Sequence, residues 1–204
     1  VVGLRLQSEL QGQTCLPFKI DPTEKKETCV SRSFSRPLNS IQELREVISN
    51  HVIKASAKLR KQKQKARSIT IFARTNLYKQ NAYSQSATTN LDIASNDTTD
   101  LLKAALSLTE QIFKSGKPLI KAGVIMQNLQ TAKHLQGHLL INCNDKENAK
   151  KERLMNTIDK INNLYGNGSI SWAICGNKQQ SRTRQEALGR SATTRIKDIP
   201  IVKA

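Results

Sequence analysis

Sixteen carboxylates, three histidines and four cysteines are the side chains of this 204-residue sequence best suited to ligate a metal or act as base or nucleophile. Cys15, Cys29, Cys143 and Cys175 are scattered, with no C-x-x-C pair, and read as reduced thiols rather than a disulfide frame or a zinc site. His134 and His138 stand four apart, the spacing of one helical face, with Cys143 beyond. The group lacks a fourth ligand and any apolar support, so zinc is not expected. The acids include no strand-borne Asp-Glu or Asp-Asp pair in an apolar setting: Asp97 and Asp100 open a helix, and Asp145 and Glu147 sit in a polar stretch. All are read as solvated or capping carboxylates. No Ser/His/Asp or Cys/His arrangement stands out, and no glycine-rich phosphate loop follows a strand.

The chemistry that remains is electrostatic. Thirty-three Lys and Arg against sixteen Asp and Glu leave a net charge of +17. Nine bases and no acid lie between Glu46 and Asp92, and seven bases against two acids run from Ile174 onward, so these stretches hold 14 of the 17 charges. A field this concentrated selects a polyanion, and nucleic acid is the commonest one in a cytosol. A membrane surface is the weaker partner, because no basic helix carries a bulky Trp, Phe and Leu face. No apolar run approaches the roughly 20 residues that cross a bilayer. The start, Val-Val-Gly-Leu-Arg-Leu-Gln, has no secretory layout, which points to the cytoplasm.

Mean hydropathy is −0.50 and aromatic residues make up only 4%, so a modest core with wide solvated faces is expected. Leu4, Leu6 and Leu10 before Gly12 read as the end of a helix; with Val first, the chain is read as the tail of something longer. Residues 19–28 read as a linker. Cys29–Phe34 is a short strand candidate. Ser40 with Glu43 forms a capping box ahead of Ile41, Leu44, Val47, Ile48, Val52, Ala55 and Leu59, an amphipathic helix ending near Lys63. Ser68–Thr75 alternates as a strand, and Ser84–Ala94 is a weaker one. Asn96 or Asp97 caps a helix carrying Leu101, Leu102, Ala105, Leu108 and Ile112 that stops at Gly116, and Pro118–Met126 closes the set. The order β-α-β-β-α-β predicts an α+β, ferredoxin-like domain over 29–127, a four-stranded sheet with two helices on one face. Residues 128–150 read as a second linker. In 151–204 a helix near Lys151–Leu164 and a strand at Ser169–Cys175 make a small α+β domain.

Several segments, in order, resemble the C-terminal half of a Y-family translesion DNA polymerase of the UmuC type. Glu9-Leu10-Gln11-Gly12 with Cys15-Leu16 resembles the stretch leaving the thumb, making 1–18 a thumb remnant. Cys29–Phe34, Ala57-Lys-Leu-Arg60, Ile69–Thr75 and Lys121-Ala-Gly-Val124 resemble parts of the little finger domain. Leu154–Asp159, Gly166–Trp172 and Thr193-Thr194-Arg195 resemble the closing domain. The resemblance implies a part in SOS repair. It also implies that nucleotidyl transfer belongs to palm carboxylates holding two magnesium ions; that palm is absent from these residues, so the chain binds no cofactor and is not expected to polymerise alone. Implied partners are primer–template DNA, a UmuD-type dimer and the RecA filament. The window Gln136–Asn144, where the family carries its sliding-clamp peptide, has no aromatic residue, which speaks against clamp binding there. The tail departs from the family as well, at Ser181–Arg184 and Arg190–Ala192. A decayed remnant and a stand-alone basic nucleic-acid module are the competing readings. For the latter, Phe72 is the sole base-stacking candidate on the sheet.

The expected contact is with phosphates along the open sheet face. If Ile69, Ile71 and Ala73 face the helices, then Ser68, Thr70, Phe72 and Arg74 face outward, with Lys121 on the last strand. Ser31, Arg32, Ser33 and Arg36 are expected to join from the first strand, and Lys63, Lys65 and Arg67 from a helix-to-strand turn. Lys54–Lys61 reads as a solvated helix face, and Trp172 as core packing.

Overall fold

The computed structural model describes residues 2–16, 25–131 and 145–176. The elements are α1 (Val2–Leu10), β1 (Thr28–Leu38), α2 (Ile41–Lys61), β2 (Gln64–Arg74), β3 (Ser84–Ser95), α3 (Thr98–Ile112), β4 (Leu119–Thr131) and α4 (Asp145–Tyr165), then a 3-10 turn at Ala173–Cys175. The strands form one antiparallel sheet ordered β1-β4-β2-β3. Each crossover helix therefore skips a strand: β4 lies between β1 and β2, and β2 lies between β3 and β4. This is the α+β, ferredoxin-like arrangement of β-α-β-β-α-β.

Local chemistry sets both helix starts. Ser40 accepts from the Glu43 backbone N–H at 3.2 Å while the Glu43 carboxylate accepts from the Ser40 N–H, a complete capping box. Asp97 caps α3 by accepting from the backbone N–H groups of Thr99 and Asp100. The apolar stripes of both helices then bury Leu44, Ile48, Val52, Leu59, Leu101 and Ala105 against Ile69, Ile71, Val124 and Met126.

Several boundaries move from those the sequence suggests. β1 extends through Pro37, tolerable because it is an edge strand. β2 begins at Gln64, which leaves Gln62 and Lys63 as the whole turn, with Lys63 at φ 53°. β4 continues to Thr131, and α4 starts at Asp145 rather than Lys151, so both ends of the expected linker are structured; 132–144 lie outside the described residues.

The expected strand at Ser169–Cys175 does not form. The side chain of Asn162 takes the place of a β partner: its amide donates to the Ile170 carbonyl at 3.1 Å and its oxygen accepts the Ile170 N–H at 2.9 Å. The segment instead lays Trp172 against the core and returns to α2, where Asn50 donates to the Cys175 carbonyl.

Arg60 ties this closing segment down. Its side chain is only 8% exposed, and its guanidinium donates to both carboxylate oxygens of Asp159 (2.6 and 2.8 Å), to the Asn96 carbonyl and to Thr98 Oγ1. Asp159, expected to be solvated, is thus an ion-pair partner, and Arg60 leaves the solvated run to which its neighbours belong. Removing Asp159 strands a buried charge that keeps two neutral acceptors. With Asp159 a quarter exposed, Asp159→Ala should cost about 2 kcal/mol. An unchanged urea midpoint would show that the pair holds nothing.

His51, 6% exposed on α2, makes stability depend on pH. Burial, then the charges of Lys54 and Arg32, lower its pKa from 6.5 to about 4. Between those values the unfolded chain takes up a proton that the folded one refuses, so stability is full above pH 6.5 and falls toward pH 4. The loss should reach about 3 kcal/mol. Urea titrations at pH 7 and pH 4.5 should show this drop, reduced in His51→Leu; a drop of equal size in the variant rules His51 out as its source.

Candidate nucleic-acid interface

Both helices pack on one side of the sheet, so strand alternation sends every second side chain to the other side. Cross-strand register assembles these into rows. One row reads Ser33, Lys121, Arg74, Ser84 across β1, β4, β2 and β3; the next reads Ser31, Gly123, Phe72, Ser86. A third joins Cys29, Ile125, Thr70 and Thr88, and a fourth Gln127, Ser68 and Asn90. The serines on β1 and β3 are exposed, and Lys121, Arg74 and Phe72 are half-buried.

The centre of the face is tied together. Thr70 Oγ1 lies 2.7 Å from Thr88 Oγ1 and donates to Gln127 Oε1 at 2.9 Å, and the Gln127 amide donates to Glu27. Ser68 has the expected parity but is only 3% exposed, and its hydroxyl donates to the Thr89 carbonyl at 3.3 Å. Thr70 and Ser68 therefore serve the sheet first. The positive charge sits at the ends. Arg74 and Lys121 are adjacent at one end, where Lys79 and Lys117 also line a pocket of about 360 Å³. Those two lysines were missed because loops far apart in sequence bring them together. Lys63, Lys65 and Arg67 occupy the other end. Lys65 and Arg67 are strand residues rather than turn residues, and nine residues of strand put Lys65 about 30 Å from Arg74.

Two residues expected on this face lie elsewhere. Arg32 alternates with Val30 and Phe34, so it points to the helix side and adds its charge to the surroundings of His51. Arg36 lies beyond the irregularity in β1 pairing that follows Ser33, and binds Glu43 at 3.3 Å. A second irregularity falls between Ala66 and Ser68 in the pairing with β3, at the level where Asn128 of β4 has a φ of 51°. It turns Ala66 into the core although Ser68, two residues on, faces outward.

Gly123 shapes the middle of the face. A Cβ there would sit 2.6 Å from Cζ of Phe72 and in hard contact with Cβ of Ser31. The missing side chain lets the Phe72 ring lie across β4, giving a low surface between the basic ends.

Among the described residues no three His, Cys, Asp or Glu side chains converge into a metal-ligating group, and no helix is long and apolar enough to cross a membrane. His134, His138, Cys143, the window Gln136–Asn144 and the tail positions from Ser181 to Arg195 lie outside the described residues.

Comparison with known proteins gives two matches to family profiles: the impB/mucB/samB family C-terminal domain over residues 25–139, and a domain of unknown function, DUF4113, over 152–202. The sequence is 30% identical to Protein UmuC of Salmonella typhimurium over 207 residues, 30% to Protein SamB and 27% to Protein ImpB of the same organism over 205 each. All of the chain is covered in each case, and 48% of the relative, so it spans about half the length of the relatives it matches.

Gly123→Ala should lower stability by about 1–3 kcal/mol, because the Ser31 Cβ across the strand pair has no room to give even if the Phe72 ring swings away. Chemical denaturation checks this; an unaltered midpoint would contradict the steric role given to Gly123.

Proposed function

Because the chain belongs to the impB/mucB/samB family, matched over that family's C-terminal domain, we propose that it is the DNA-holding portion of an error-prone translesion polymerase of the UmuC type, acting in DNA repair. The observation that carries this reading is the sheet face opposite α2 and α3, uncovered among the described residues, with its row of Ser33, Lys121, Arg74 and Ser84. Hydroxyls and cations at strand spacing suit phosphate oxygens, and phosphate contacts carry no sequence information. A polymerase crossing arbitrary damage needs such indifference to sequence. The basic ends, Arg74 with Lys121 and Lys63 with Lys65 and Arg67, would grip the backbone at separated points, and Phe72 over Gly123 would keep the middle low enough for the duplex to approach.

On this reading nucleotidyl transfer and its magnesium ions belong to a palm domain outside residues 1–204, and the chain works in the cytoplasm. A UmuD-type dimer and the RecA filament are its protein partners, met through the region that begins at α4. Clamp binding through Gln136–Asn144 is not part of the proposal, since that window offers no aromatic anchor.

Fluorescence anisotropy with a labelled primer–template duplex tests the reading. Neutralising four to six phosphates gives a slope of log affinity against log salt of about −4 to −5. Arg74→Ala combined with Lys121→Ala should make that slope shallower by about 2, similarly for unrelated sequences. A slope near zero, or a preference for single-stranded RNA over the duplex junction, would overturn the assignment.

A further inference from the structure

On the helix side, away from the face assigned to DNA, a cleft of about 560 Å³ runs between β1, α2 and the segment from Ile158 to Cys175. It is lined along α2 from Glu43 to Lys61, about 27 Å of helix, so it is a groove rather than a compact pocket. An extended peptide of about eight residues has that reach. The floor is apolar, with Val47, Ile53, Ile170 and Trp172 among its residues.

The polar lining is lopsided. Six lysine and arginine side chains meet three carboxylates. Two of those carboxylates are already engaged, Glu43 by Arg36 and Asp159 by Arg60. The surplus includes Lys58 and Lys61, both exposed on α2 and one helical turn apart. His51 is among the lining residues and is 94% buried. With its pKa lowered to about 4 the ring is neutral near pH 7, so the positive edge is made by the lysines and arginines alone.

We propose that this groove docks an acidic peptide of a partner protein, with an apolar side chain seated against Trp172 and carboxylates along the Lys58–Lys61 edge. The site is separate from the proposed DNA face, and the two stand or fall independently.

Trp172 is the chain's only tryptophan, so its emission reports the groove without a label. The probe is a capped ten-residue peptide of aspartate and glutamate with leucine and phenylalanine at its centre, titrated into the full chain at about 150 mM salt. A saturable change in Trp172 emission with a Kd below about 100 μM is expected. The same peptide with lysine for every acid should produce none. Lys58→Glu with Lys61→Glu should weaken binding at least roughly tenfold while leaving the urea midpoint in place. No change up to about 1 mM peptide, an equal response to the lysine version, or unaltered binding by the double variant would overturn the proposal. So would a shift of Trp172 on adding duplex DNA, or on raising the protein's own concentration, since these would assign the groove to nucleic acid or to a second copy.

Discussion

A sheet that packs α2 and α3 on one side must turn every second residue of every strand to the other side, and this constraint organises the described residues. Once Ile69, Ile71, Val124 and Met126 are committed to the core beneath α2 and α3, Arg74, Phe72, Lys121 and Gly123 have only the opposite face to occupy. Because β4 lies between β1 and β2, the cation on β4 arrives beside the cation on β2, and a serine from each edge strand completes the row. No single segment encodes that row. It is a product of register, and a slip of one residue in any pair would send its members into the core.

The same economy governs the other side. The helix face of the domain is extended by the closing segment, which is held through Arg60, a residue that also touches the carbonyl before α3 and the hydroxyl of Thr98. A buried guanidinium needs several acceptors at once, and the start of α3 and the carboxylate of Asp159 on α4 bring them to this residue of α2. The groove beside His51 exists because this clasp brings the residues from Ile158 to Cys175 over the flank of α2 without filling the space between. The protein thus presents two basic surfaces of different character, one a low sheet face and the other a recess with an apolar floor.

Much of this was legible in sequence where the signal is local. The capping box at Ser40 and Glu43, the stripe from Leu44 to Leu59 and the outward parity of Thr70, Phe72 and Arg74 follow from short-range spacing, and the structure holds all of them. Arg32 was misplaced although the signal was present, since Val30 and Phe34 at plus and minus two fix its side. Other features had no local signal. Arg60 and Asp159 are 99 residues apart, and Gly123 meets Phe72 only across a strand pair. Ser169–Cys175 has the composition of a strand, but Asn162 satisfies its backbone first. The irregularity between Ala66 and Ser68 exists only in the pairing with β3.

The central claim is that DNA lies on the bare face of the sheet and not on its helices. Backbone amide chemical shifts of the isotopically labelled chain, followed as primer–template duplex is added, test that claim most directly. The account predicts shifts concentrated at Ser31, Ser33, Phe72, Arg74, Lys121 and Gly123, with α2 and α3 silent. Shifts concentrated at Lys54, Lys58 and Lys61, with the sheet face silent, would contradict it.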